Sequence, residues 1–86
     1  IEYPEARELQ LVFDMFDVEN NYDTLTVKSG KGDVLEVLTG QKGAHRTKFY
    51  PFSKLLLEFK SDSTGPAQGF RISQVIESRY SEYTFT

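Results

Sequence analysis

The chain has 86 residues, a net charge of −3 and no cysteine. A chain this short supports a single hydrophobic core, for which seven Phe and five Tyr supply large apolar side chains. The absence of cysteine excludes disulfides, thiolate metal sites and cysteine nucleophiles. The small negative charge argues against nucleic-acid binding, and no apolar run approaches the roughly 20 residues that span a bilayer, so we expect no membrane insertion.

Short runs of β-branched and aromatic residues, separated by Gly-, Asn- and Ser-containing turns, predict an all-β, antiparallel sandwich. The segment from Pro4 to Gln10 is the one helix-like stretch, and we interpret it as a turn into the first long strand. A further short strand is expected from Val34 to Leu38. The residues predicted to face the core by their period of two are Leu9, Leu11, Phe13 and Met15, then Leu25 and Val27, then Leu55, Leu57 and Phe59, and finally Phe70 and Ile72.

The end of the chain is polar and aromatic and belongs to none of these strands. Residues 1–77 are therefore predicted to form the sandwich domain. Residues 78–86 are predicted to be a C-terminal tail or an extra edge strand.

Catalytic groups are scarce in this sequence, and we expect no enzyme activity. The one histidine, His45, lies in a loop setting, which is typical of a solvated surface residue. No Gly-x-Ser-x-Gly nucleophile motif is present. The segment 29–32, Ser-Gly-Lys-Gly, lacks the spacing and the following helix of a phosphate-binding loop, so it is interpreted as a hairpin turn.

Charge is unevenly distributed along the chain. Residues 1–23 contain seven acids and one base, whereas residues 24–54 contain six bases and two acids. The basic segment Lys42, His45, Arg46 and Lys48 precedes two aromatic residues, a combination that can bind single-stranded nucleic acid or a sulfated glycan. Because the overall charge has the opposite sign, we interpret this segment as an exposed loop that leads into a strand.

Acidic residues cluster where the first strand ends and the second begins, over residues 16–23, and Asp62 closes a later strand. Oxygen ligands from two neighbouring loops are what Ca²⁺ requires. The segment lacks the ligand spacing of an EF-hand, however, and composition alone indicates an ordinary acidic loop.

Four blocks of the sequence resemble the CUB domain family in the same order along the chain. The resembling segments are LQLVFDMFDVE (residues 9–19), YDTLTV (residues 22–27), LLLEFKSDS (residues 55–63) and GFRI (residues 69–72). The resemblance implies a jelly-roll-like antiparallel sandwich that serves as a protein-interaction module in an extracellular protein, either secreted or on the cell surface.

The same resemblance implies a calcium site. Many members of the family bind Ca²⁺ through acids at positions that correspond here to Glu19, Asp23 and Asp62. Together with Tyr22, these residues would form the partner-binding surface. A basic side chain of a protein partner would then contact carboxylates that the ion holds in place.

The chain departs from the family pattern in three ways. Asn21 and Thr39 stand where a pair of cysteines is expected, and the loop from Glu19 to Asp23 is shorter than usual. The opening segment, residues 1–5, resembles the middle of a longer family segment, so the opening strands are expected to be missing. A companion chain could supply these strands.

Two alternative functions remain open at this point. The first is a structural or assembly domain that pairs with other chains through an exposed sheet edge. The second is a carbohydrate-binding module that uses exposed aromatic side chains such as Tyr50, Phe52 or Tyr80.

Overall fold

The computed structural model describes residues 1–61 and 69–79, and this part of the chain contains strands and no helix. Antiparallel pairing organises the strands into two three-stranded sheets, with the orders β4-β1-β6 and β3-β2-β5. The prediction of an all-β antiparallel sandwich is thereby confirmed. The strands are β1 (Glu8–Asp17), β2 (Thr24–Ser29), β3 (Val34–Leu38), β4 (His45–Arg46), β5 (Leu55–Lys60) and β6 (Gly69–Ser78).

One hydrophobic core lies between the two sheets, and both sheets contribute to it. Its formation follows from the period-two patterns, because alternate side chains of a strand lie on the same face. The buried apolar residues are Ala6, Leu9, Leu11, Phe13, Phe16, Val18, Leu25, Val27, Leu38, Tyr50 and Leu55.

Strand β1 contains a bulge that the period-two pattern did not predict. Its register with β6 shifts on both sides of Phe13, so that Asp14 has no residue opposite it. The extra residue reverses the inside-outside alternation, and Phe16 is therefore buried while Met15 is only partly buried. The prediction that Met15 faces the core was wrong for this reason.

The sandwich is less well covered on the side where β5 and β6 approach each other. Phe59 is 43% exposed, and its ring centroid lies 5.3 Å from that of Phe70 in an edge-to-face contact. Leu57, Ile72 and Val75 are also only partly buried. We refer to these five residues as the β5–β6 seam.

The beginning of the chain adds a short ladder to β5. Ile1 and Leu55 exchange hydrogen bonds between their main-chain groups, and the amide of Tyr3 donates to the carbonyl of Ser53. Pro4 and Glu5 then form a turn that leads into β1, as the sequence predicted. Residues 80–86 of the predicted tail lie outside the described residues.

Candidate functional site

A tight loop between β1 and β2 brings Glu19 and Asp23 together. The amides of Tyr22 and Asp23 both donate to the carbonyl of Glu19, at 3.2 and 2.9 Å. Asn21 has a φ of 70°, a left-handed conformation that asparagine tolerates better than most residues. The loop therefore places two of the three predicted calcium ligands at one end of the sandwich.

The carboxylate of Asp23 is inside the protein, with only 3% of the residue exposed. Its Oδ2 accepts a 3.1 Å hydrogen bond from the amide of Glu19, and Oε1 of Glu19 is itself buried. Burying a carboxylate is costly unless it is hydrogen-bonded, so the amide offsets part of that cost. The side chain of Asp23 is thus bonded to the backbone of Glu19, in addition to the backbone hydrogen bonds of the turn.

Thr39, which follows β3, attaches this loop to the neighbouring strand connection. Its hydroxyl donates a 2.6 Å hydrogen bond to the carbonyl of Asp23 and accepts one of 3.0 Å from the amide of Asn21. Asn21 and Thr39 are the positions at which the family resemblance places cysteines. A hydrogen bond therefore joins the two segments at the point where a disulfide is expected.

The donors at this site have the chemistry that Ca²⁺ prefers, because carboxylate oxygens at flexible geometry are its usual ligands. Glu19 and Asp23 provide such oxygens at adjacent points of one loop. Within residues 1–61 and 69–79, however, no three potential metal-ligating side chains converge. The third predicted ligand, Asp62, lies outside the described residues. The loop therefore fits part of a calcium site in its donor chemistry, and a further ligand is needed to complete it.

The surface around the loop combines an aromatic side chain with charges of both signs. Tyr22 is 66% exposed. The end of β1 and the segment after β3 enclose a groove of about 540 Å³. Its lining includes the acids Asp17 and Glu19 and the cation Lys42. Sequence reasoning missed this groove, because its two walls are far apart in the chain and no local pattern relates them.

A second acidic residue of β1, Asp14, is engaged elsewhere. The guanidinium of Arg71 reaches its carboxylate at 2.8 Å through Nη2 and at 2.9 and 3.0 Å through Nε. These hydrogen bonds are the main reason that the pKa of Asp14 lies below its usual value and that the pKa of Arg71 lies above its own. Asp14 therefore belongs to an ion pair across β1 and β6 rather than to the loop site.

The sequence suggested that His45 lies in a solvated loop, but the structure places it in a strand. It forms β4 with Arg46 and stands opposite Phe13 in the ladder with β1. The imidazole ring packs at 6.3 Å from the ring of Phe13, and its Nε2 atom is buried. The expectation was wrong because a strand of two residues is too short to produce a periodic pattern.

The aromatic residues considered for carbohydrate binding do not present a shared exposed face. Tyr50 is 1% exposed and belongs to the core, and Phe52 packs against that core. Tyr80 lies outside the described residues. The geometry of Tyr50 and Phe52 thus removes the basis for the carbohydrate alternative at these two positions.

Comparison with known proteins gives a family assignment. A family model described as the CUB domain matches residues 1–74. No curated protein and no solved structure matches the chain significantly. CUB domains are generally non-catalytic interaction modules that typically occur in extracellular proteins. Among the described residues, no helix has the length and apolar character needed to cross a membrane.

Proposed function

The chain belongs to the CUB domain family, and we propose that it is a non-catalytic module that binds a protein partner outside the cell through a calcium-ordered surface. The observation that carries this proposal is the hydrogen bond between the amide of Glu19 and the carboxylate of Asp23. It holds two acids together at one end of the sandwich, beside the exposed ring of Tyr22.

Glu19, Asp23 and Asp62 would hold the ion, which supplies positive charge that offsets the repulsion between carboxylates packed close together. With their positions fixed, these carboxylates accept charge-assisted hydrogen bonds from a partner Lys or Arg. Because the acids are ordered before the partner arrives, binding costs less side-chain entropy.

Tyr22 would provide the apolar part of the same contact. Tyrosine is enriched among the residues that dominate binding energy, since it buries a large rigid ring and keeps a polar hydroxyl. Asp17, which lines the same groove as Glu19, adds a further negative charge that a basic partner would encounter. The partner surface that fits is therefore basic at its centre and apolar beside it.

Thermal unfolding in millimolar Ca²⁺ and in excess EDTA tests the calcium site. A ligand that binds the folded state stabilises it by roughly 2.7 kcal/mol at a hundredfold excess over Kd. For a domain of this size, that raises the unfolding temperature by about ten degrees or more. We expect this rise for the wild type and its loss in Asp62→Ala.

The control variant Asp33→Ala removes the same charge from an exposed position in the β2–β3 turn and should keep the rise in unfolding temperature. Equal unfolding temperatures in Ca²⁺ and EDTA for the wild type would contradict the proposal.

A second candidate, assembly with another chain, is favoured by the β5–β6 seam. Because the main-chain groups of Leu55 pair with Ile1, those of Leu57 and Phe59 also point away from β2 in the alternating pattern of an antiparallel ladder. These groups form the outer edge of β5, the last strand of its sheet. An added strand from a companion chain would pair with this edge of β5 and cover the partly exposed Phe59.

Sedimentation velocity over a range of protein concentrations tests the assembly candidate. We expect association that increases with concentration and that weakens in Phe59→Ser. Leu56→Ser is the matched control, because Leu56 is exposed on the outer face of the same strand. A monomer at every concentration would exclude self-assembly through the seam.

A further inference from the structure

The segment from Gln41 to Tyr50 lies along the outer edge of β1. Gln41 is opposite Asp17, β4 is opposite Val12 and Phe13, and Tyr50 is opposite Leu9. These pairings hold the segment beside a long strand, with a bend at residues 43 and 44. The sheet therefore anchors the segment at its two ends and at β4.

Three cations of this segment face solvent along that path, and we refer to Lys42, Arg46 and Lys48 as the basic edge. Arg46 and Lys48 lie on either side of Thr47, which is buried and whose amide pairs with the carbonyl of Leu11. The amide of Lys42 donates to the carbonyl of Phe16. At about 3.4 Å per residue of β1, the three cations extend over roughly 20 Å.

The basic edge is a local concentration of positive charge on a chain whose net charge is negative. No Asp or Glu occurs between Glu36 and Glu58 in the sequence. Among the described residues, none of the three cations forms an ion pair. The neighbouring acid Asp14 is engaged by Arg71. At the Lys42 end, the acids Asp17 and Glu19 line the same groove as the cation.

We propose that the basic edge binds a linear, highly sulfated polysaccharide. A row of cations fixed along a strand matches a polymer that carries anionic groups at intervals along its length, and the guanidinium of Arg46 can hold an oxyanion through two parallel hydrogen bonds. The exposed ring of Phe49, next to Lys48, adds an apolar surface for a sugar ring.

Single-stranded nucleic acid fits this surface less well than a sulfated polymer. Its binding usually depends on several aromatic side chains on which successive bases stack. Here Tyr50 is in the core and Phe52 packs against it, so Phe49 is the exposed aromatic residue of this segment. The basic edge uses none of the residues Glu19, Asp23 or Asp62 and meets the calcium loop only at Lys42, which lines the same groove as Glu19. A measurement in EDTA therefore tests this proposal separately from the calcium-dependent function.

Binding of a fluorescently labelled heparin oligosaccharide, long enough to span the edge, tests this proposal by fluorescence anisotropy in EDTA. We expect the triple variant K42Q/R46Q/K48Q to bind at least about tenfold more weakly than the wild type, and its affinity to depend less steeply on salt between about 50 and 200 mM. The matched control K31Q/K54Q/K60Q removes the same charge from exposed lysines elsewhere and should change affinity by less than about twofold. The single variants R46Q and K48Q each give an intermediate loss, and they keep the test valid should the triple variant not fold.

Other results of the same experiment would contradict the proposal. Equal affinity of the triple variant and its control would overturn the assignment to this edge. Binding of the desulfated oligosaccharide as tightly as of the sulfated one, or tighter binding of a single-stranded oligonucleotide, would overturn the assignment to a sulfated ligand. No binding of heparin at low salt would overturn the proposal altogether.

Discussion

The hydroxyl of Tyr50 donates a 2.5 Å hydrogen bond to Oε1 of Glu36 and so connects the two sheets. The backbone of Tyr50 exchanges hydrogen bonds of 2.9 and 2.7 Å with Leu9 in β1, whereas Glu36 lies in β3 of the opposite sheet. The ring between these contacts is 1% exposed. A single side chain therefore crosses the core and ends in a charge-assisted hydrogen bond.

Removing this hydroxyl should destabilise the fold. Hydrogen bonds to charged groups contribute about 1.5–3 kcal/mol. Glu36 is partly exposed and can regain water, so we expect Tyr50→Phe to lower the free energy of unfolding by about 1–2 kcal/mol in urea denaturation. Tyr3→Phe removes a hydroxyl from an exposed tyrosine and serves as the control. Equal stability of the two variants would show that the contact between the sheets contributes nothing.

The same tyrosine should make stability depend on alkaline pH. Burial, and secondarily the hydrogen bond to Glu36, raise the pKa of Tyr50 above its ordinary value of 10.0. The unfolded chain then loses this proton near pH 10 while the folded protein retains it, so the stabilisation is complete below pH 10 and is lost as the pH rises further. We expect the wild type to lose free energy of unfolding faster than Tyr50→Phe between pH 10 and about 11.5, by about 1.4 kcal/mol per pH unit. Parallel curves for the two proteins would refute this expectation.

The bulge in β1 predicts different costs for two adjacent substitutions. Phe16 is fully buried and its ring lies 5.3 Å from that of Phe13, so Phe16→Ala should cost about 3–5 kcal/mol. Met15 is only partly buried, and Met15→Ala should cost about 1 kcal/mol. Denaturation monitored by circular dichroism measures both. A larger loss for Met15→Ala would mean that the alternation continues unbroken through Asp14.

Much of the fold could be predicted from the sequence, because a strand with one buried face has a period of two that needs no knowledge of its partners. Leu25, Val27 and Leu55 follow that rule. The bulge at Asp14 could not be predicted, since it depends on the register with β6, which is distant in the sequence. β4 was missed as well, because His45 and Arg46 are ordered by pairing with β1 and carry no periodicity of their own.

The hydrogen bond between Asn21 and Thr39 predicts that a disulfide can be introduced there. The amide nitrogen of Asn21 lies 3.0 Å from Oγ1 of Thr39, so their Cα atoms are within about 7 Å, close to the range that disulfides span. We expect the double variant N21C/T39C to form the bond and to be about 3 kcal/mol more stable oxidised than reduced. Comparing the two redox states of one protein cancels the cost of replacing an asparagine with positive φ. Failure to oxidise, shown by thiol titration of the folded protein, would contradict the expected proximity.

The candidate site could be predicted only in part. The resemblance to CUB domains identified Glu19 and Asp23, and the structure places them in one hydrogen-bonded loop. The contribution of Thr39 to the loop could not be predicted from the sequence. Its hydroxyl forms hydrogen bonds with Asn21 and Asp23, from which it is separated by the β2–β3 hairpin. The groove beside Asp17 and Lys42 depends in the same way on pairing between distant segments.

Calorimetric titration of Ca²⁺ into the protein is the most direct test of the proposed function. We predict saturable binding of one ion per chain by the wild type, and its loss in Glu19→Gln and in Asp62→Asn, which remove a carboxylate and keep the size of the side chain. Asp33→Asn makes the same change at an exposed turn and should bind as the wild type does. Absence of saturable binding by the wild type, or equal binding by all four proteins, would contradict the account of Glu19, Asp23 and Asp62 as a calcium site.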